Sequence, residues 1–140
     1  EIEPELANYH LKVSPYKIHS LMYYATMFIG DSQTMTSEAA VLGTPAIKCN
    51  SFAGKLSVPN EIEKKYNLCY SFDPQHFHNM IKKIQELLTM PNLKIKWREQ
   101  RKRMLADKID VTAFMVWFVD NYPNSVCEIK KNPDLQYRFK

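Results

Sequence analysis

Residues 27–45 read MFIGDSQTMTSEAAVLGTP, and this stretch decides the fold. It opens with a short apolar run closed by Gly30, which is typical of a buried strand. Asp31 and Ser32 interrupt the run and begin a helix predicted over residues 33–42. A Gly-Thr-Pro break then leads into a second strand, predicted at 45–49. The order strand, helix, strand predicts two parallel strands joined by a right-handed crossover.

The start of this predicted helix is a candidate anion site. A strand that stops at Asp31-Ser32 and turns directly into a helix leaves several backbone N–H groups without partners. Those donors and the helix dipole favour a bound anion. Glu38 lies about a turn and a half further along, where its carboxylate can accept hydrogen bonds from hydroxyl groups. The spacing also fits a second interpretation, in which Asp31 or Ser32 is only an N-cap and Glu38 is solvated.

Strands and helices alternate along the rest of the chain. The predicted strands lie at residues 10–13 (the weakest), 27–30, 45–49 and 68–72. The predicted helices begin at Ser14-Pro15, at Gln33, at Asn60 as the cap of a short charged helix, at Asp73-Pro74, near Lys94 and after Asp110. We therefore predict an α/β fold with a Rossmann-like parallel sheet of about four strands and flanking helices.

Length and composition predict one globular domain. The 140 residues suffice for a single core. We place that domain at residues 1–122 and assign residues 123–140 to a polar, loosely attached carboxyl-terminal tail. Because the chain opens with Glu-Ile-Glu-Pro-Glu, we expect it to be a fragment of a longer protein.

Charge and cysteine usage exclude several classes of protein. The net charge of +4 is mildly basic, so we expect no nucleic-acid partner. Three widely spaced cysteines (Cys49, Cys69 and Cys127) predict reduced thiols and a cytoplasmic location. We expect neither a transmembrane helix nor a signal peptide. His19, His76 and His78 have no carboxylate or cysteine at ligand spacing, so we expect no metal site.

Two helical segments raise the question of partners. The basic segment 94–108, with Trp97 inside it, is typical of a solvated helix face, and we do not expect it to bind a membrane surface. Residues 111–119 are apolar on nearly every side, which a stable helix tolerates only when it is covered all round. We expect Phe114, Trp117 and Phe118 to form a two-fold homodimer contact.

The segment from residue 23 to residue 72 resembles the carboxyl-terminal half of the GT-B fold. The motifs that carry this resemblance are Phe28-Ile29-Gly30-Asp31-Ser32, Glu38-Ala39-Ala40 and Leu42-Gly43-Thr44-Pro45. The chain is most similar to a DUF354-like group, a domain of unknown function. That group is related to the non-hydrolysing UDP-N-acetylglucosamine 2-epimerases and to sugar-nucleotide glycosyltransferases.

The resemblance implies roles for specific residues. Ser32 and the amides of Gln33 and Thr34 would hold a diphosphate, and Glu38 would hold the ribose hydroxyls. The epimerases have two glycines where this chain has Gln33-Thr34, whose side chains narrow the close backbone approach that glycine permits. The same side chains can also supply donors of their own. His19 and Asp31 are included as candidates for lining the pocket, and no catalytic residue is assigned.

The function implied by the resemblance is that of the UDP-sugar-binding half of a glycosyltransferase of cell-surface polysaccharide biosynthesis. No cofactor is implied besides the nucleotide-sugar substrate. The amino-terminal GT-B domain, which would supply the acceptor site and the chemistry, is expected to be missing, so the isolated chain is expected to be inactive. Two alternatives stay open: a UDP-N-acetylglucosamine 2-epimerase-like enzyme, and an interaction domain that has kept the fold and lost the ligand.

Overall fold

A computed structural model describes residues 3–140 and shows a three-stranded parallel sheet flanked by helices. The strands are β1 (Phe28–Gly30), β2 (Ala46–Cys49) and β3 (Cys69–Phe72), paired in the order β1-β2-β3. The helices are α1 (Ile18–Tyr24), α2 (Gln33–Leu42), α3 (Ser57–Lys64), α4 (Phe77–Thr89), α5 (Leu93–Asp107), α6 (Val111–Asp120) and α7 (Asn124–Lys131). Short 3₁₀ turns cover Pro4–Tyr9, Pro15–Lys17, Pro74–His76 and Pro133–Phe139.

Helices cover both faces of the sheet. On one face lie the crossover helices α2 and α3, where the Cys69 thiol is 3.8 Å from the Pro59 carbonyl oxygen. On the other face, the Trp97 ring of α5 lies 6.3 Å from the Tyr70 ring, and its Nε1 donates to the Leu68 carbonyl oxygen at 2.8 Å. The α/β class and the parallel sheet are therefore confirmed, in an arrangement compatible with a Rossmann-like domain.

Helix α2 has the bounds that the sequence predicts, because the signals at both of its ends are local. Ala39 and Ala40 are fully buried, and their small side chains let the helix lie close against the sheet. Gly43 ends the helix with a φ of 76°, which is the left-handed conformation that favours glycine. A Cβ at Gly43 would also lie 3.0 Å from Cδ of Arg101, so a larger residue there would require the Arg101 side chain to shift.

The prediction of a strand at residues 10–13 is wrong. In the structure these residues pair with no strand, and Leu11 is 62 % exposed. A short apolar pattern becomes a strand only when a neighbouring strand accepts its hydrogen bonds, and within residues 3–140 no strand lies beside it. The described sheet therefore has three strands and not about four.

Helix α3 begins earlier than predicted. It starts at Ser57, whereas the sequence indicated a start at Asn60. Pro59 falls in the first turn, where a missing backbone N–H is tolerated. The Asn60 side chain donates instead to the Gly54 carbonyl oxygen at 2.7 Å. Asn60 therefore does not cap α3, and its side chain instead holds the loop that precedes the helix.

The residues after Tyr122 are helical and pack against α6, so the prediction of a loosely attached tail is wrong. The Phe139 ring lies 5.6 Å from the Phe114 ring and 5.5 Å from the Trp117 ring. Ser125 is fully buried and donates to the Phe118 carbonyl oxygen at 2.7 Å. A domain boundary between residues 122 and 123 stays a prediction.

The aromatic side chains of α6 therefore contact the carboxyl-terminal segment of the same chain and are half-buried. The large apolar side chains that α6 exposes are those of Val111, Met115, Val116 and Val119. A homodimer contact through Phe114, Trp117 and Phe118 stays a prediction, and the exposed aliphatic residues would have to take part in it. None of the helices within residues 3–140 combines the length and the apolar composition that crossing a bilayer requires.

Part of the basic segment is structural. Lys94 Nζ donates to the carbonyl oxygens of Tyr23 at 2.8 Å and Ala25 at 2.6 Å, at the carboxyl end of α1. The Arg101 guanidinium donates to the Val41 carbonyl oxygen near the end of α2. Positive charges at helix carboxyl ends are stabilised by the helix dipole. The prediction of a solvated basic face is thus wrong for these two residues.

We expect Lys94→Met to lower the free energy of unfolding by about 2 kcal/mol, because the carbonyl oxygens of Tyr23 and Ala25 lose a charged donor. Chemical denaturation followed by circular dichroism measures this loss. The matched control is Lys96→Met on the same helix, since Lys96 is exposed and its one contact is a weak one to the Met90 sulfur. Equal losses in the two variants would contradict a capping role for Lys94.

Candidate functional site

The candidate site lies where β1 ends and α2 begins. Ser32 caps α2, because its Oγ accepts from the Met35 amide at 3.3 Å. Its carbonyl oxygen accepts from the Thr36 amide at 3.1 Å. The Ser32 hydroxyl hydrogen has no acceptor among the described residues, so it remains available as a donor.

Two backbone donors at the start of α2 have no partner within residues 3–140. The Gln33 and Thr34 amides precede the first amide that the helix satisfies, and no carbonyl or side chain accepts from them. With the positive end of the helix dipole they favour a bound anion. The structure thus brings Ser32, Gln33 and Thr34 together with three uncommitted donors.

Glu38 lies one turn after Thr34 and contacts α1. Its Oε2 is 3.2 Å from Nε2 of His19, so two candidate residues from different helices meet. Both side chains reach solvent, with 60 % of the His19 side chain and 38 % of the Glu38 side chain exposed. In the part of the chain that the structure describes, Oε1 of Glu38 has no hydrogen-bond partner. It can therefore accept from a ligand hydroxyl.

Two grooves flank the first turns of α2. One has a volume of about 300 Å³ and lies between α2 and residues 56–59 at the start of α3. The other has a volume of about 350 Å³, lies between α1 and α2, and is lined by His19 and Glu38. Thr34 and Ser37 line both grooves. A small ligand held by the Thr34 amide therefore has room on either side of the helix.

Asn50 holds together the loops that follow the three strands. Its Nδ2 donates to the Asp31 carbonyl oxygen at 2.6 Å, and its amide donates to the Phe72 carbonyl oxygen at 3.0 Å. Asp31 contributes its backbone to this contact, and neither groove beside α2 is lined by Asp31. Sequence reasoning missed Asn50, whose signal was a side-chain amide directly after a strand.

Lys48 is a further residue of the site, and the sequence analysis did not identify it. It is fully buried on β2, and its Nζ donates to Oε1 of Gln33 at 2.7 Å. Burial lowers the pKa of the Lys48 ammonium, while Cys69 and Glu63 act in the opposite direction. The signal was a lysine in the middle of an apolar strand, because lysine is almost never fully buried unless its charge is paired.

The chemistry that this arrangement offers is binding. Burial raises the pKa of the Cys69 thiol to about 12, so it stays protonated near neutral pH and is a poor nucleophile. Within residues 3–140, no three His, Cys, Asp or Glu side chains come together as a metal ion would require. What remains is a set of donors for an anion and a carboxylate oxygen for hydroxyl groups.

Comparison with known proteins identifies the family. A family model described as "Protein of unknown function (DUF354)" matches residues 1–123, which include the sheet, α2 and each candidate site residue. Searches of curated proteins and of solved structures gave no significant match. The matched residues are well over half of the chain, and they confirm the DUF354-like resemblance. The chain belongs to the DUF354 family of proteins of unknown function.

Proposed function

We propose that this chain is the nucleotide-sugar-binding half of a glycosyltransferase, and that a UDP-sugar is its ligand. The observation that carries the proposal is the pair of uncommitted amides of Gln33 and Thr34 at the start of α2, one turn before Glu38. Amides at a helix start suit a phosphate group. A carboxylate one turn further on suits the hydroxyl groups of the attached ribose.

Two further contacts support this assignment. The Ser32 hydroxyl adds a third donor beside the two amides. The hydrogen bond from His19 holds Oε2 of Glu38, and Oε1, which has no partner among the described residues, can accept from a diol. The groove of about 350 Å³ beside these residues has the size of a small-molecule site.

The proposal extends the resemblance to the carboxyl-terminal half of the GT-B fold. The parallel sheet with its helix start at the carboxyl end of β1 supports it, because ligands of open α/β sheets bind outside the carboxyl ends of the strands. In this arrangement a second, amino-terminal domain supplies the acceptor site and the chemistry. Cell-surface polysaccharide biosynthesis is the role we propose for the assembled enzyme, and a 2-epimerase-like reaction is the alternative within enzymes.

A second candidate from another class is an interaction domain without a ligand. The observation that favours it is the exposed aliphatic face of α6, formed by Val111, Met115, Val116 and Val119. Calorimetry with UDP separates the two candidates. Heat of binding that saturates supports the nucleotide site, and no binding at millimolar UDP favours the interaction domain.

We expect Glu38→Gln to weaken UDP about tenfold and inorganic pyrophosphate less than twofold. Of the groups of the ligand, only the ribose hydroxyls of UDP would donate to this carboxylate, and hydrogen bonds to a charged group contribute about 1.5–3 kcal/mol, where 1.4 kcal/mol is tenfold in affinity. Isothermal titration of both ligands against the 140-residue chain measures the two ratios.

The matched control for Glu38→Gln is Glu86→Gln on α4, which removes one carboxylate charge from an exposed side chain. It should change neither affinity. Equal weakening of UDP and pyrophosphate by Glu38→Gln would show that Glu38 shapes the start of α2 and does not contact the ribose.

A further inference from the structure

The ammonium of Lys48 is buried beside the candidate anion site with little to balance its charge. Lys48 is fully buried, and among the described residues Oε1 of Gln33 is the one hydrogen-bond acceptor within reach of Nζ. No carboxylate of residues 3–140 forms an ion pair with it. The charge of Glu63 acts on the Lys48 ammonium without contacting it, and Oε1 of Glu63 accepts from the Ser71 amide at 3.3 Å.

A buried ammonium without a counter-charge destabilises the folded state. An ammonium has three N–H donors, and Lys48 uses one of them on a neutral acceptor. Removing a charge from water costs several kcal/mol unless a counter-charge and further hydrogen bonds compensate it. An apolar side chain would fill this place on β2 more favourably. Such a position is a candidate for function, because buried charges without a counter-charge gather at ligand sites.

Gln33 lies between this ammonium and the groove. It is the first residue of α2, it lines the groove of about 300 Å³, and its carboxamide oxygen faces Lys48. Since an ammonium only donates, this contact fixes the orientation of the carboxamide. Nε2 then lies on the other side, where it is buried without an acceptor. A buried donor without an acceptor is unfavourable, which lowers the cost of moving the Gln33 side chain away from Lys48.

We propose that Gln33 is a displaceable cover over Lys48, and that Lys48 is the counter-charge for a phosphoryl oxyanion bound at the start of α2. A phosphoryl oxygen takes the place of Oε1 on Lys48 Nζ when the Gln33 side chain turns aside. The anion then has the Gln33 and Thr34 amides on one side and the ammonium on the other. This inference rests on the proposed function for the position of the phosphate. It adds Lys48 as the side chain whose positive charge balances the bound anion.

Two variants with opposite expected effects test the cover. Inorganic pyrophosphate is titrated into the 140-residue chain by calorimetry at low ionic strength. Lys48→Met should weaken pyrophosphate at least tenfold, because the counter-charge is lost. Gln33→Ala should tighten it at least threefold, because no side chain has to be displaced. The double variant should bind as weakly as Lys48→Met alone.

The matched control is Lys55→Met, which removes one positive charge from an exposed loop side chain and should change the pyrophosphate affinity less than twofold. Pyrophosphate binding to Lys48→Met within twofold of the unaltered chain would overturn the proposal. Unchanged or weaker pyrophosphate binding to Gln33→Ala would also overturn it, and this measurement does not depend on the folding of Lys48→Met.

The same titrations with UDP separate this inference from the proposed function. If pyrophosphate binding depends on Lys48 while UDP binds no tighter than pyrophosphate, the proposed role of Gln33 and Lys48 is supported and the assignment of a nucleotide ligand is wrong. If UDP binds tighter than pyrophosphate and Lys48→Met binds both ligands with the affinity of the unaltered chain, the nucleotide assignment is supported and the proposed role of Gln33 and Lys48 is wrong.

Discussion

Trp97→Ala is expected to lower the free energy of unfolding by about 3–5 kcal/mol, a large part of the stability of a domain of this size. Trp97 is 1 % exposed, and its ring lies against Tyr70 on the face of the sheet that α5 covers. Its Nε1 also donates to the Leu68 carbonyl oxygen at 2.8 Å, so alanine leaves both a cavity and an unsatisfied acceptor.

Urea denaturation followed by circular dichroism measures the loss for Trp97. The control is Trp117→Ala, because Trp117 is half-buried in α6 and contacts Phe114, Phe139 and Arg138 outside the core of the sheet. It should cost clearly less than Trp97→Ala. A loss below 1 kcal/mol for Trp97→Ala would contradict the packing of α5 on the sheet.

Gln33→Pro is expected to bind pyrophosphate ten- to a hundredfold more weakly than Gln33→Ala. Both variants lose the Gln33 side chain, and the proline variant alone also loses the backbone N–H that we assign to the phosphate. A hydrogen bond to a charged group contributes about 1.5–3 kcal/mol, which corresponds to this range. Calorimetric titration of the two variants compares the affinities directly.

The structure allows this substitution without disturbing the helix. Proline is favoured at the first position of a helix, and Gln33 occupies that position in α2. The preceding residue, Ser32, has φ −71° and ψ 122°, a conformation that a following proline prefers. The stability of Gln33→Pro should therefore match that of Gln33→Ala. Equal pyrophosphate affinities in two equally stable variants would show that the Gln33 amide is not a ligand donor.

The sequence predicted the features that local signals determine. Helix α2 is the clearest case, since its bounds follow from the cap at Ser32 and the glycine at residue 43. The parallel strand order follows from the alternation of strands and helices. The strand at 10–13 failed because a strand depends on a partner, and a local apolar pattern carries no information about that partner.

The contacts that shape the candidate site come from residues far apart in the chain. Lys48 meets Gln33 across fifteen positions, and His19 meets Glu38 across nineteen. Neither pair has a sequence signal of its own, because each depends on how a helix lies against the sheet or against another helix. The carboxyl-terminal segment was misjudged for a similar reason. Its polar composition concealed Phe139, which packs on α6.

An amide-resolved NMR titration of the 140-residue chain measures whether the start of α2 binds the phosphate of a nucleotide. We expect weak binding, in the high-micromolar to millimolar range, because under the proposed function α2 supplies only part of the complete site. Pyrophosphate and UDP should both shift the Gln33 and Thr34 amide resonances, and UDP should in addition shift those around Glu38. Unmoved resonances at Gln33, Thr34 and Glu38 in several millimolar UDP would contradict nucleotide binding at the start of α2.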